Sequence, residues 1–281
     1  MSTLTTHTTA SRASHSVGLC KFNTDTKAIE VSDGTNWSIY DYDSGTISPV
    51  TNTLSVDFDG TTDYINFGNN AALMPTAFTI SFWMKQDSLV QNTIVQKRSG
   101  SNGYQIYFDN GTFQYSDGSQ TITFATGVYT STTDWYHVAV THTGSLVTGY
   151  VNGSSVSSQS SSIVSNTADL TLGRHSAGSA YYHDGKVDEF SLHNSALDAA
   201  NIAQMYNSPG SPLDLTVNQG NYTGSSSLVG YWRMGDGASD TSSGGSSPAN
   251  GNTIGTIVNL AASHSNGTVG AGAPEYINDA P

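Results

Sequence analysis

Two aspartates four residues apart, Asp59 and Asp63, flank a glycine in the stretch FDGTTDYINFG, residues 58–68. Such a pair can do three kinds of work. Carboxylates grouped with backbone carbonyls hold calcium. Two carboxyls about 5–5.5 Å apart cleave a glycosidic bond with retention. Asp beside Gly makes tight turns by bonding its own backbone, and this reading asks least of the surroundings. Other acids are poorly placed for catalysis. The only glutamates, Glu30, Glu189 and Glu275, are far apart in sequence, and neighbours on a strand such as Asp188 and Glu189 should point to opposite faces. Eight histidines form no HExxH motif and no Cys/His cluster. In WYHVAVTHT, His137 and His142 fall on opposite strand faces, and His137 reads as a buried, satisfied histidine. No phosphate loop, nucleophile elbow or dinucleotide fingerprint is present, so no catalytic residue is assigned and the chain reads as a non-enzyme.

Binding chemistry concentrates in two polar stretches, RSGSNGYQ (98–105) and GRHSAGSAYYHDGK (173–186). Asn102, Tyr104, His175, Tyr181, Tyr182 and Asp184 offer stacking faces and hydrogen bonds to a sugar. Tyr181 and Tyr182 serve equally well as a contact with a neighbouring subunit.

The elements that must position these residues are strands. FTISFWMK (78–85) alternates apolar and polar side chains, and Asn-Gly pairs at 110–111 and 152–153 sit between alternating runs, a strong hairpin signal. Short strands with turns every 8 to 12 residues mean an all-β sandwich or barrel. One helix is expected near 196–206, with Ser195 as its cap and Leu197, Ile202, Met205 and Tyr206 on its apolar face. The divisions read as a polar arm (1–17), a small β unit with linker (18–49), the main β domain (50–208) and a Gly/Ser-rich extension (209–281). In that extension LVGYWRM (228–234) is the one strong strand, and the rest is low-complexity. Its alternation sets Leu228, Gly230, Trp232 and Met234 on an apolar face opposite Val229, Tyr231 and Arg233.

Charged residues make up 11% of the 281, so Ser, Thr, Asn, Gly and Gln must cover the surface. A net charge of -13 argues against nucleic acid. A single cysteine, Cys20, allows no intramolecular disulfide. The N-terminus lacks the apolar region of a secretory signal, and no run is long enough for membrane insertion.

In order, LSVDFDGTTDYINFG, FTISFWMK, WYHVAVTHTG, VTGYVNGSSV, LTLGRH and DGKVDEFSLHNSALDAANIAQMY resemble a laminin-G-like, concanavalin-A-like jelly roll over roughly residues 52–207. The resemblance implies two antiparallel sheets with ligands at the rim loops, carbohydrate as a frequent ligand, and calcium in some members. It makes the Asp188-Glu189 pair a structural signature and adds Asp188 to Asp59 and Asp63 as a candidate for a structural calcium, the alternative to turn-making. Glucanases of this fold carry a cluster of acids on alternate strand positions that is missing here. In pentraxin-like relatives the two polar stretches meet at one rim, although here they hold few acids. The relatives' YW strand ahead of FDG is absent, and 228–234 is expected to fill that place. Phe22–Trp37 resembles short segments of tail-fibre and other virion proteins of tailed bacteriophages. The combined reading is a virion-surface protein, a capsid decoration or head or tail fibre, displaying a glycan-binding domain. Its partners would be other virion proteins, copies of itself and a surface glycan. The alternative is a free carbohydrate-binding module of a cell-surface or secreted protein.

Overall fold

A computed structural model describes residues 6–7, 20–23, 28–32, 37–40, 50–175, 181–206, 212–261 and 265–281. Most of residues 1–17, residues 24–27, 33–36 and 41–49, and the middle of the 173–186 stretch lie outside them. Residues 1–47 with 219–221 form one compact unit, and 48–218 with 222–281 the other.

The first unit is a four-stranded sheet of β1 (Thr6–His7), β2 (Cys20–Asn23), β3 (Ala28–Ser32) and β4 (Trp37–Tyr40), in that order. β1 belongs to the arm read as featureless and runs parallel to β2, while the other pairs are antiparallel.

The second unit is a two-sheet antiparallel jelly-roll sandwich. Its strands are β5 (Ser55–Asp59), β6 (Tyr64–Asn66), β7 (Phe78–Gln86), β8 (Asn92–Ser99), β9 (Asn102–Asp109), β10 (Thr112–Ser116), β11 (Thr121–Ala125) and β12 (Tyr136–His142). They continue with β13 (Leu146–Val151), β14 (Ser154–Ser160), β15 (Thr171–Leu172), β16 (Asp184–His193), β17 (Leu228–Trp232), β18 (Thr241–Ser242), β19 (Ile254–Ile257), β20 (Gly267–Ala271) and β21 (Glu275–Ile277). One sheet runs β11-β10-β9-β8-β15-β6-β20-β19-β18, and the other β14-β13-β12-β7-β16-β5-β21, with β17 also on β16.

Local chemistry accounts for much of this. Asn110 and Gly111 take φ of 47° and 75°, and Asn152 and Gly153 take 47° and 76°. Both residues of each pair are thus left-handed, as a two-residue hairpin requires. Phe78, Ile80, Phe82 and Met84 all point into the core and are fully buried. The opposite face of β7 is buried too, because α1 (Ala199–Tyr206) and residues 213–215 cover it. There Ala139, Tyr150, Ile202, Met205, Leu213, Leu215, Tyr222 and Tyr231 form a second apolar cluster. Asp198, not Ser195, caps α1 by accepting from Asn201 N (2.9 Å), while the Ser195 carbonyl accepts from Thr79. No helix among the described residues is long and apolar enough to cross a membrane.

The extension does more than its composition suggests. β18, β19 and β20 widen the first sheet beyond β6, and β21 pairs with β5 in the second. β17 lies end to end with β5 along the same side of β16, with β5 on residues 184–187 and β17 on residues 190–193. The changeover is a bulge at Asp188–Glu189, where Glu189 takes φ 49°. That bulge corrects the strict alternation expected of the Asp188-Glu189 pair. Asp188, opposite Trp83 in register, and Glu189, which lines the same small cavity as Ser81 and Trp83, share the face turned from the sandwich core. A second irregularity, where Leu192–His193 meets Gly230–Leu228, moves Val229 to the Trp232 side and Leu228 to the Tyr231 side.

Candidate functional site

The acidic turn is held by its own hydrogen bonds. Asp59 accepts from Thr61 N (2.9 Å), Thr61 Oγ1 (2.5 Å), Thr62 N (2.8 Å), Thr62 Oγ1 (3.0 Å) and Asp63 N (3.0 Å). Burial pushes its carboxyl upward, but these donors outweigh that and hold it well below the usual carboxylate range. Asp63 accepts from Asp59 N (3.2 Å) and Ala273 N (2.7 Å), so it ties the turn to the C-terminal segment. Burial keeps its carboxyl above the usual value.

Asp188 does not join them, and the expected metal set is corrected on that point. β16 meets β5 with Asp184, not Asp188, opposite Asp59. Asp188 is fully buried, accepting from Asn52 Nδ2 (2.8 Å) and Glu189 N (2.8 Å). The donor set of Asp59, Asp63 and Asp188 therefore does not fit one calcium ion. Among the described residues no three acidic, His or Cys side chains are grouped to hold a metal. Asp59→Ala is expected to cost about 1–2 kcal/mol, the scale of a turn losing its acceptor. Chemical unfolding with and without added calcium checks this, and the loss should be equal in both.

Glu189 is no freer for chemistry. Its carboxylate accepts from Arg233 Nε (2.9 Å) and from the Tyr231 hydroxyl, and all three side chains are buried. Arg233 also donates to the Thr51 carbonyl, and Asp236 accepts from Thr53 and Leu54, so this node fastens β17 to the start of β5. His137 is buried with Nε2 2.9 Å from Ser81 Oγ. His142 stacks on Phe78.

The six residues chosen for sugar binding separate. Residues 98–105 are a tight hairpin rather than a loop, since β8 ends at Ser99 and β9 starts at Asn102. Period 2 then turns Tyr104 inward with Ile106 and Phe108. Its ring packs on Phe78, its hydroxyl donates to the Leu73 carbonyl (3.2 Å) and it has no solvent exposure, so Tyr104 is a core residue and not a ligand contact. Asn102 is exposed, its carbonyl taken by Asn166 Nδ2 (3.2 Å). Asp184 stands against Gly60 in the acidic turn. Tyr182 is half-buried.

His175 and Tyr181 do come together, edge to face at 6.0 Å. Tyr181 is 47% exposed, while its carbonyl accepts from Thr93 N of β8. Its φ of 66° is an outlier for a bulky residue, of the sort that concentrates at ligand clamps.

Arg174, the chain neighbour of His175, lines a cleft of ≈ 430 Å³ together with Arg98, Gly100, Asp169 and Thr171. Arg174 lays its guanidinium 3.6 Å from the centroid of the Tyr64 ring. Sequence reasoning passed over Tyr64, Arg98, Asp169 and Arg174, although the scarcity of cations in so acidic a chain was a usable signal.

Two packed antiparallel sheets with polar residues gathered at strand ends and connecting loops define a concanavalin A-like β-sandwich. Residues 59–203 match the concanavalin A-like lectin/glucanases superfamily, and the chain belongs to that family. A candidate carbohydrate-binding protein from Bacteroides ovatus superposes with a TM-score of 0.57 at 17% identity, covering 90% of this chain and 68% of that one. A heptameric SAP-like pentraxin from Limulus polyphemus gives 0.48 at 13% identity, over 55% and 82% of the two chains. Domain 4 of an extracellular arabinanase from Geobacillus stearothermophilus, in complex with arabinotriose, gives 0.45 at 17%, over 53% and 75%. At these identities the likeness is one of fold. No curated protein matches the chain.

Proposed function

We propose that this protein is a bacteriophage virion component, a capsid decoration or a head or tail fibre, that displays a non-catalytic glycan-binding sandwich. The observation that carries the binding half is exposed Tyr181, on a strained backbone and with its ring against His175, whose chain neighbour Arg174 rests on Tyr64. An exposed aromatic face flanked by oriented polar groups suits a sugar ring and its hydroxyls. Membership of a lectin-containing superfamily supports it. The absence of catalysis is supported by the acids themselves, since Glu189 and Asp188 are buried and Asp59 is saturated with donors. The virion half rests on the resemblance of Phe22–Trp37 to phage segments. It rests also on the size of the N-terminal four-stranded unit, too small to stand alone and suited to packing on other virion proteins or copies of itself.

An array of bacterial surface glycans should yield binders, and Tyr181→Ala should weaken them by about three- to tenfold. Alanine meets the same backbone demand at this position, so the change reads out the ring. Binding unaltered by the substitution would reject this face. Mass spectrometry of gradient-purified particles should find the chain at stoichiometric abundance. Its appearance only in particle-free fractions would support the free carbohydrate-binding module instead.

A further inference from the structure

The chain has 9 Lys and Arg against 22 Asp and Glu, so the placing of each cation is informative. Six of the nine lie in the sandwich unit. Lys85 pairs with Asp279, Lys186 with Asp57 and Asp87, and Arg233 with Glu189. Lys97 is fully buried, donating to the Ala168 carbonyl. The other two, Arg98 and Arg174, line one and the same cleft.

That cleft is built rather than incidental. Arg174 rests on Tyr64, its Nε meets no hydrogen-bond partner, and among the described residues no carboxylate lies within ion-pair reach of it. Tyr64 can lie where it does because Gly270 is beside it: a Cβ there would stand 1.9 Å from the ring. Arg98 is aimed by Nε on the Gly100 carbonyl (2.8 Å) and Nη1 on Gln105 (3.3 Å). Asp169 is fixed on the same floor, accepting from Asn66 Nδ2 (2.8 Å).

We infer that this cleft takes an acidic sugar, a uronic acid or another carboxylate-bearing residue of a surface polysaccharide. The inference rests on the glycan-binding reading above and names the class of ligand. A guanidinium presents a planar fork that matches a carboxylate bidentately, and stacking on an aromatic ring holds the fork in plane. Asp169 accepts the hydroxyls of the same sugar and repels a second negative group. Together with the chain's net charge of -13, this disfavours densely charged polyanions.

The test is an array of bacterial surface polysaccharides, each printed beside its carboxyl-reduced form, with dextran sulfate as a charge control. The protein should bind one or more carboxylate-bearing members, at least about tenfold more weakly after reduction. Arg174→Gln should lose the same factor with an unchanged melting temperature, Arg174→Lys should lose less, and Arg98→Gln gives an independent second reading. Binding that survives carboxyl reduction or Arg174→Gln overturns the acidic specificity. Strongest retention by dextran sulfate does so as well, since it marks charge density alone. Neutral glycans bound through Tyr181 would leave the glycan-binding reading standing and remove this inference, whereas no binding to any member removes both.

Discussion

Replacing Trp232 with Ala is expected to lower the unfolding free energy by about 3–5 kcal/mol, as the loss of a large core aromatic does. Trp232 has no solvent exposure, packs on Phe67 at 4.4 Å and Phe190 at 5.2 Å between centroids, and donates from its indole to the Ser265 carbonyl (3.3 Å). Phe67 follows β6 in the first sheet and Phe190 belongs to β16 in the second, so this one side chain bridges both layers. Gly230 makes room for it: a Cβ at 230 would stand 2.2 Å from the indole. Urea unfolding should show a lower midpoint at an unchanged slope. A midpoint equal to the parent's would mean that β17 is peripheral to the sandwich.

Three buried histidines should each make the stability depend on pH below about 6.5. Burial pushes His137 down to about 3, His183 to about 4 and His193 to about 3. The folded state keeps all three neutral, while the unfolded chain protonates them near the ordinary histidine value of about 6.5. Below that pH the unfolded state binds more protons, so stability falls as pH falls. The slope is about 1.4 kcal/mol per histidine per pH unit until the folded values are reached. Asp188 and Glu189 run the other way. Burial raises both, so the folded state takes up their protons first and gains stability as pH drops toward the ordinary carboxyl range. Asp57, Asp63 and Asp240, which burial also raises, act in the same direction as these two, so the histidine contribution is read by removing one histidine. His137→Asn isolates one histidine, since the carboxyls are common to both proteins. The unfolding free energy of the variant should depend on pH less steeply by about 1.4 kcal/mol per unit in that window. Parallel curves for parent and variant would show that His137 is not held neutral.

Local chemistry written into the chain determined the fold class, the hairpins at Asn110-Gly111 and Asn152-Gly153, and the inward face of β7. These depend on dihedral preferences and on period-2 burial, which neighbours in sequence settle between themselves. The same reasoning recognised Asp59 and Asp63 as turn-makers, because their donors lie within four residues. It failed wherever the deciding partner was distant. Tyr104 looked like a loop residue until β8 and β9 closed through a two-residue turn and carried it into the core. Asp188 and Glu189 could not be seen to share a face, because their bulge arises where β16 changes partners from β5 to β17, some 170 residues apart. β18 to β21 have too few apolar residues to announce themselves. They are strands because β6 and β5 present unpaired edges that their backbones satisfy. The Arg174–Tyr64 platform likewise needs β15 and β6 side by side, with Gly270 of β20 beneath the ring. Sequence alone decided which residues can form strands and turns. Only the tertiary structure decided which edges meet, because backbone hydrogen bonding is the same for every residue and long-range pairing is chosen by the whole set of buried faces at once.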